Sequence, residues 1–335
     1  LCDQQFAAAA EAARAAGMAI GLIVDLAVGV DPTGADASAL SDVLAKGVRI
    51  GAPPDAFNQL GQDWGLSAWH PKRLADTGYA AYRDLLRRLL RHAGGLRIDH
   101  VAGLWRLWWV LPGHPASDGT YVSYDADAMV GILALEAHRA GAVVIGEDLG
   151  TVPEAVTLGL RERAMLGCSV LWFTRDPDQE EAPFRPPEQW PRYAEASIST
   201  HDLPTAYGFL AGEHVRVRAE LHQLARPIEE EQEQAVRDRQ QLVTMLIEAG
   251  LLDADAAEDV DAIVTAMHAA LLAGPSVLVA VSPYDVLGEL RQPNLPGTID
   301  QYPNWRLPLP IDREDIFRDP RVIRICEMMS RRRLP

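Results

Sequence analysis

The sequence has few cysteines, and those it has lie far apart. Its 335 residues include only Cys2, Cys168 and Cys326, with no Cys-x-x-Cys pair among them. Disulfide-stabilised and zinc-binding domains depend on closely spaced cysteines, so we expect neither a disulfide framework nor a structural zinc site. The cysteine usage favours a reducing, cytoplasmic location. A calcium site is not expected either, because Asp31 and Asp36 do not follow the spacing of a calcium loop.

Basic residues and long apolar runs are also scarce. Lys and Arg number 31 against 47 Asp and Glu, a formal net charge of −16. This charge repels phosphate backbones and anionic lipids, so neither nucleic acid nor a membrane is expected as a partner. The longest apolar stretch, about 262–281, contains His268 and is interrupted at Gly274-Pro275, which predicts a buried helix and then a strand. The first 17 residues lack the cationic start of a signal peptide and predict an amphipathic helix.

Short apolar runs that end in polar residues alternate with helical spacing along the chain. The predicted strands are Met18–Asp25, Leu96–Asp99, Val143–Asp148, Ser169–Phe173, Ala196–His201 and Ser276–Val281. The predicted helices between them are Tyr79–His92, Ala126–Ala140 and Pro153–Arg163. This alternation is typical of α/β proteins, and the length suits one large (β/α)8 barrel or two ordinary domains.

Three carboxylates stand where predicted strands end: Asp99, Glu147 and Asp202. The carboxyl ends of parallel strands share one face of a sheet, so we expect the three to converge on one pocket. A pair of carboxylates can cleave a glycosidic bond, with one acting as nucleophile or base and the other as proton donor. Arg97 lies two residues before Asp99, on the same side of a strand, where its charge would keep that Asp ionised. His100 and His201 are expected to bind hydroxyl groups or to be buried histidines satisfied by the backbone.

Tryptophan and tyrosine cluster near these carboxylates. The segment GQDWGLSAW contains Trp64, and the segment GLWRLWWVLPG contains Trp108 and Trp109. Flat amphipathic side chains suit the apolar faces of sugar rings. Adjacent Trp108 and Trp109 point in different directions, so at least one is expected in the core. Trp64 is the preferred sugar platform, because its neighbours Gly61, Gln62 and Gly65 are typical of a loop.

Six segments together resemble the 4-α-glucanotransferases, called amylomaltases in bacteria, of the α-amylase clan. They are GLIVDLAVGV, GAPPDAFNQLGQDWG, LRIDHVAGLWRLWW, VVIGEDLGTVPE, STHDLPT and NLPGTIDQYPNWR, in that order along the chain. The resemblance extends from about Gly21 to Arg306. It implies a retaining enzyme that acts on maltooligosaccharides and other α-1,4-glucans without an organic cofactor or a metal.

The resemblance also implies roles for individual residues. Asp99 corresponds to the nucleophile, Glu147 to the general acid/base and Asp202 to the carboxylate that stabilises the transition state. The implied substrate-binding or supporting residues are Asp25, Asn58, Gln62, Trp64, Arg97, His100, His201 and Asn294.

The implied fold is a (β/α)8 TIM barrel with a helical insertion. Only six strands are predicted, and the first corresponds to the third of the clan, so strands one and two are expected to be missing. We expect the missing N-terminal part of the same protein to be a partner of this chain. The expected division is a catalytic barrel over 1–212, a helical insertion over 213–273, and the last barrel strand with a C-terminal segment over 274–335.

Two other functions fit the same residues. An α-glucan hydrolase of the clan would use the same three carboxylates but release the intermediate to water. A non-catalytic glucan-binding fragment would bind without cutting.

Overall fold

A computed structural model describes residues 1–54, 61–150, 152–179 and 182–331. The chain divides into two compact units, Leu1–Cys168 and Ser169–Pro335. Across the described ranges, no helix is both long enough and apolar enough to cross a membrane.

The first unit contains a parallel sheet and an antiparallel sheet. Its strands are β1 (Ile23–Leu26), β2 (Arg49–Ala52), β3 (Gln62–Leu66), β4 (Gly95–Ile98), β5 (Arg106–Val110), β6 (Thr120–Ser123) and β7 (Val143–Gly146), and β8 (Gly167–Val170) begins at its end. Its helices are α1 (Cys2–Ala15), α2 (Ala35–Ala39), α3 (Pro71–Asp76), α4 (Ala80–Leu89), α5 (Ala126–Ala140) and α6 (Glu154–Glu162). The parallel sheet has the order β1-β4-β7, and the antiparallel sheet has the order β3-β2-β5-β6.

The parallel sheet brings the predicted site residues together. Asp25 of β1 is the register partner of Arg97 of β4, and Ile98 pairs with Gly146 of β7. The core of this unit packs between the sheet and the helices, with Leu86, Leu96 and Leu133 fully buried. Short strands of apolar residues therefore end on one edge, where Asp99 and Glu147 follow β4 and β7.

The helix limits follow from capping. In α5, the side chain of Asp125 accepts a hydrogen bond from the backbone N–H of Ala128 (3.1 Å). The helix ends at Gly141, which has φ +63°, a conformation that glycine adopts without a steric penalty. The predicted limits of this helix, Ala126–Ala140, are confirmed.

The second unit is mainly helical. Its strands β9 (Ala194–Ser197) and β10 (Leu278–Val279) run parallel, and the sheet order is β10-β9-β8. Its helices are α7 (Ala206–Leu210), α8 (Glu213–Glu220), α9 (Ile228–Glu248), α10 (Val260–Ala273), α11 (Pro283–Leu287) and α12 (Pro320–Ser330). Segment 213–273 thus holds α8, α9 and α10, whose apolar side chains such as Leu246 and Met267 are buried. The apolar stretch 262–281 is a buried helix followed by a strand, as predicted.

Candidate active site

Arg97 holds two carboxylates at the ends of β1 and β4. Its Nη1 donates to Asp25 Oδ1 and Oδ2 (2.8 and 2.9 Å) and to Asp99 Oδ1 (3.1 Å). The contact with Asp99 confirms the prediction that residues two apart in a strand lie on the same side. Burial alone would lower the pKa of Arg97, but the charges of Asp25, Asp99 and Glu147 outweigh it and raise that pKa. The guanidinium therefore stays charged beside Asp99.

Glu147 is the first residue after β7, and the backbone fixes both of its carboxyl oxygens. Oε2 accepts from the backbone N–H of His100 (2.9 Å), and Oε1 accepts from that of Leu149 (2.8 Å). Burial raises the pKa of Glu147, and the nearby charge of Asp99 raises it further, against these hydrogen bonds and Arg97. A carboxyl that keeps its proton to a higher pH than usual is equipped to donate it.

His100 connects the two carboxylates to an aromatic side chain. Its backbone is left-handed (φ +44°), and its ring meets Trp64 edge to face at 5.3 Å between centroids. Burial lowers the pKa of His100, with Asp99 opposing, so the ring is neutral at physiological pH. The indole N–H of Trp64 points to Gln62 Oε1 at 3.3 Å.

The prediction of a loop around Trp64 is wrong. Gln62 and Trp64 belong to β3, which pairs with β2. Gly61 and Gly65 both have φ +71°, so the glycines bend the backbone beside and within a strand instead of marking a loop. The structure thus brings together Asp25, Gln62, Trp64, Arg97, Asp99, His100 and Glu147 within the first unit.

Asp202, His201 and Asn294 form a separate cluster within the second unit. Asn294 Nδ2 donates to Asp202 Oδ1 (2.6 Å), and His201 Nε2 lies 3.3 Å from Asp202 Oδ2. The backbone N–H of Asn294 donates to the carbonyl of His201 (2.9 Å). The segments STHDLPT and NLPGT, distant in sequence, are therefore adjacent in the fold.

Gln292 also holds this cluster and was not predicted. Its buried carboxamide donates to the backbone carbonyls of Asp202 (2.8 Å) and Asn294 (2.7 Å). The hydroxyl of Tyr302 donates to the carbonyl of Gln292 (2.7 Å). In the sequence, Gln292 could have been noticed only because it lies two residues before Asn294. A single Gln in a Pro-rich loop does not by itself indicate any chemistry.

Asn58 lies outside the described residues. Within the part of the chain that the structure describes, no group of three or more His, Cys, Asp or Glu side chains is arranged to hold a metal ion.

A family model described as 4-alpha-glucanotransferase matches residues 1–312. The chain belongs to this family. The 4-alpha-glucanotransferase of Mycobacterium tuberculosis is 51% identical over 333 residues, which cover 97% of the chain and 46% of that protein. The one of Haemophilus influenzae is 35% identical, with 91% of the chain and 44% of that protein covered. The chain thus spans about half the length of these curated relatives.

Two solved structures are similar to the chain. The amylomaltase of Corynebacterium glutamicum gives a TM-score of 0.92 at 41% identity, covering 98% of this chain and 48% of that one. The amylomaltase of Streptococcus agalactiae in complex with acarbose gives 0.67 at 16% identity, covering 92% and 56%, a likeness of fold alone. The chain therefore shares the α/β fold of amylomaltases of the α-amylase clan.

Proposed function

We propose that the protein is a 4-α-glucanotransferase, which moves α-1,4-glucan segments from a donor maltooligosaccharide to the 4-hydroxyl of an acceptor glucan or glucose. One observation carries the proposal: two carboxyls at neighbouring strand ends have opposite environments. Asp99 is paired with Arg97, whereas Glu147 is buried with a raised pKa. A carboxylate held by a guanidinium suits the nucleophile and a buried carboxyl with a raised pKa suits the acid, the pair that a retaining glycosidase mechanism needs.

In the first step, the carboxylate of Asp99 attacks the anomeric carbon of the donor. The bond from this carbon to the glycosidic oxygen breaks, and Glu147 gives its proton to that oxygen as the leaving sugar departs. A glycosyl ester on Asp99 results. Arg97 Nη1 donates to Asp99 and orients its carboxylate for this attack, and the same nitrogen donates to Asp25.

In the second step, Glu147 takes the proton of the acceptor 4-hydroxyl, and that oxygen attacks the anomeric carbon. The ester bond to Asp99 breaks, which regenerates the carboxylate and retains the configuration. Transfer outcompetes hydrolysis where the acceptor is held in place of water. We assign the binding of sugar hydroxyls to Gln62, His100 and Asn58, and a stacking surface to Trp64.

The family resemblance supports the remaining assignments. Asp202, with His201 and Asn294, would bind sugar hydroxyls and stabilise the transition state. We further propose the (β/α)8 barrel of the clan as the fold, with 213–273 as a helical insertion, and acarbose as a ligand, since the Streptococcus agalactiae amylomaltase was solved with it. The predicted missing strands and the cytoplasmic location stay predictions.

The test is incubation of the full-length protein with maltotriose, with separation of products and titration of reducing ends. Glucose and longer maltooligosaccharides at a constant number of reducing ends are expected, and Asp99→Asn should abolish them. A rise in reducing ends would identify a hydrolase instead. Retention on glycogen without any product would identify a binding protein. Either the rise in reducing ends or this retention without turnover would overturn the proposal.

A further inference from the structure

Trp305 presents an unusually large apolar surface to solvent. All eight tryptophans lie in the described part of the chain; seven are buried or half-buried, whereas 66% of the surface of Trp305 is accessible to solvent. Indole rings dominate core and interface energetics because of the area they bury. An exposed indole therefore gives up stabilisation that burial would provide.

The backbone holds Trp305 in place rather than leaving it free. Its φ of +58° is left-handed, a conformation that costs free energy for a bulky residue. Its N–H donates to the carbonyl of Pro293 (2.9 Å). The preceding Asn304 is fixed by its carboxamide, which accepts from the N–H of Leu295 (2.8 Å) and donates to Thr298 Oγ1 (2.8 Å). An exposed ring on a backbone that is fixed in this way is typical of a binding group whose position is set before its ligand arrives.

The indole lies beside the Asp202 cluster of the same unit. Its ring centroid is 5.0 Å from that of His201, at an angle of 42°. His201 in turn contacts the Asp202 carboxylate, which Asn294 also holds. An apolar plane and a set of hydroxyl-binding groups therefore occur side by side, as recognition of a sugar ring requires.

We infer that Trp305 stacks on a glucosyl unit of the α-1,4-glucan, next to the unit whose hydroxyls Asp202 and His201 bind. The inference rests on the proposed function and adds a binding residue to it. A glucosyl ring has one face of C–H groups, which the exposed indole would cover, and hydroxyls at its rim, which polar neighbours satisfy. Because Trp305 provides area rather than charge, it acts on binding more than on bond cleavage.

The kinetic test compares Trp305→Ala and Trp305→Phe with the unchanged full-length protein. We expect Trp305→Ala to raise KM for maltotriose about tenfold, the loss of one good stacking contact, with kcat within about twofold. Trp305→Phe should recover most of this loss because it keeps a flat ring. Phe317→Ala is the matched control, since Phe317 is 79% exposed in the 3-10 helix 313–318 and should leave KM unchanged.

A binding measurement separates this inference from the proposed function. Maltohexaose is titrated into the Asp99→Asn variant, which cannot consume it, and tryptophan fluorescence is followed. The spectral change on binding should become clearly smaller when Trp305→Phe is added, and the part that comes from Trp64 should remain. If the protein transfers glucan but both the KM and the fluorescence response are unaffected by Trp305 substitutions, the inference fails and the proposed function stands. If the unchanged protein neither transfers nor binds maltooligosaccharides, both fail.

Discussion

At the residue scale, the candidate active site separates two carboxyl groups by what surrounds them. Asp99 lies against a guanidinium that Asp25 also holds, and Glu147 is buried with both oxygens on backbone N–H groups. Arg97 donates through Nη1 to Asp25 and Asp99, whereas Glu147 accepts from the backbone N–H groups of His100 and Leu149. The two carboxyls therefore lie in different environments, and burial raises the pKa of Glu147.

Glu147→Gln should lower kcat for maltotriose by about 10²–10⁴-fold, the usual contribution of general acid catalysis. A donor with a good leaving group, such as α-maltosyl fluoride, needs no proton, so formation of the Asp99 ester should recover. In the unchanged protein, the raised pKa of Glu147 means that its acid form is lost only above the usual range of a glutamate. The rate should therefore fall as pH rises through that pKa, and Glu147→Gln should remove this limb of the pH profile.

Glu162→Gln provides the control for Glu147→Gln, because Glu162 is 73% exposed on α6 and should be replaceable without loss of activity. An unchanged rate for Glu147→Gln with maltotriose would contradict the acid role.

The carboxylates of the first unit could be predicted from the sequence because the residues next to them in the chain indicate their positions. The spacing of Arg97 and Asp99 determines their contact in any strand, and strand ends collect polar groups. Gln292 has no recognisable motif around it, and the segment that contains Trp305 does not single out that residue; both contact Asp202 or His201, about 90 to 100 residues earlier in the chain. Loop residues of this kind can be recognised as site residues only once the fold is known.

At the element scale, each of the six predicted strands corresponds to an observed strand, but β2, β3, β5 and β6 were missed. The parallel strands lie in short segments in which apolar residues predominate, such as Val143–Gly146, and such segments are easy to detect. The antiparallel strands Arg49–Ala52 and Arg106–Val110 each begin with arginine and have no clear alternation of apolar and polar residues. Their stability comes from cross-strand pairs such as Trp108 with Tyr121, which no single segment reveals.

The position of β4 depends on close approach of the backbone at Gly94. Gly94 donates to Leu22 O (2.9 Å) and accepts from Val143 N (3.0 Å), and an added Cβ would overlap the carbonyl oxygen of Ile20. Gly94→Ala should lower the free energy of unfolding by at least about 3 kcal/mol, because rigid backbone must move. Gly131→Ala in α5 meets no atom and should raise it by about 0.5–1 kcal/mol. Urea unfolding measures both, and equal effects would contradict the argument.

Asp285 ties the end of β9 to α7 from within the core. The buried carboxylate accepts from Ser199 Oγ and from the N–H of Ala206, both at 2.7 Å, on either side of the segment that carries Asp202. Burial raises the pKa of Asp285 to about 6, although these hydrogen bonds oppose it. The folded state therefore keeps a proton that the unfolded chain releases near pH 4.

This difference makes stability fall as pH rises from about 4 to about 6, by up to about 3 kcal/mol from this group alone. Asp285→Asn should remove that part of the slope, because an amide does not ionise and the Ser199 hydroxyl can turn to accept from it. Unfolding in urea at several pH values checks this. Asp255→Asn, the same change on an exposed residue, should keep the original slope. A slope left intact by Asp285→Asn would show that other groups cause it.

At the scale of the whole molecule, the net charge of −16 should act on stability and not on substrate binding. An α-1,4-glucan is neutral, so screening removes no attraction between protein and substrate. Raising NaCl from about 0.05 to 0.5 M shortens the screening length several-fold, and KM for maltotriose should change less than about twofold. The melting temperature should rise over the same range, because the self-repulsion of an acidic surface weakens.

Duplex DNA provides the counter-test for the substrate class. A polyanion should neither compete with maltotriose nor stabilise the protein at low salt, where repulsion is strongest. Inhibition by DNA that salt relieves would mean that a positive surface binds polyanions at or near the site. Arg97 would be a poor source of that attraction, because its side chain is 81% covered and already paired with Asp25 and Asp99, so the polyanion would have to bind other basic residues and the expectation drawn from the net charge would be wrong.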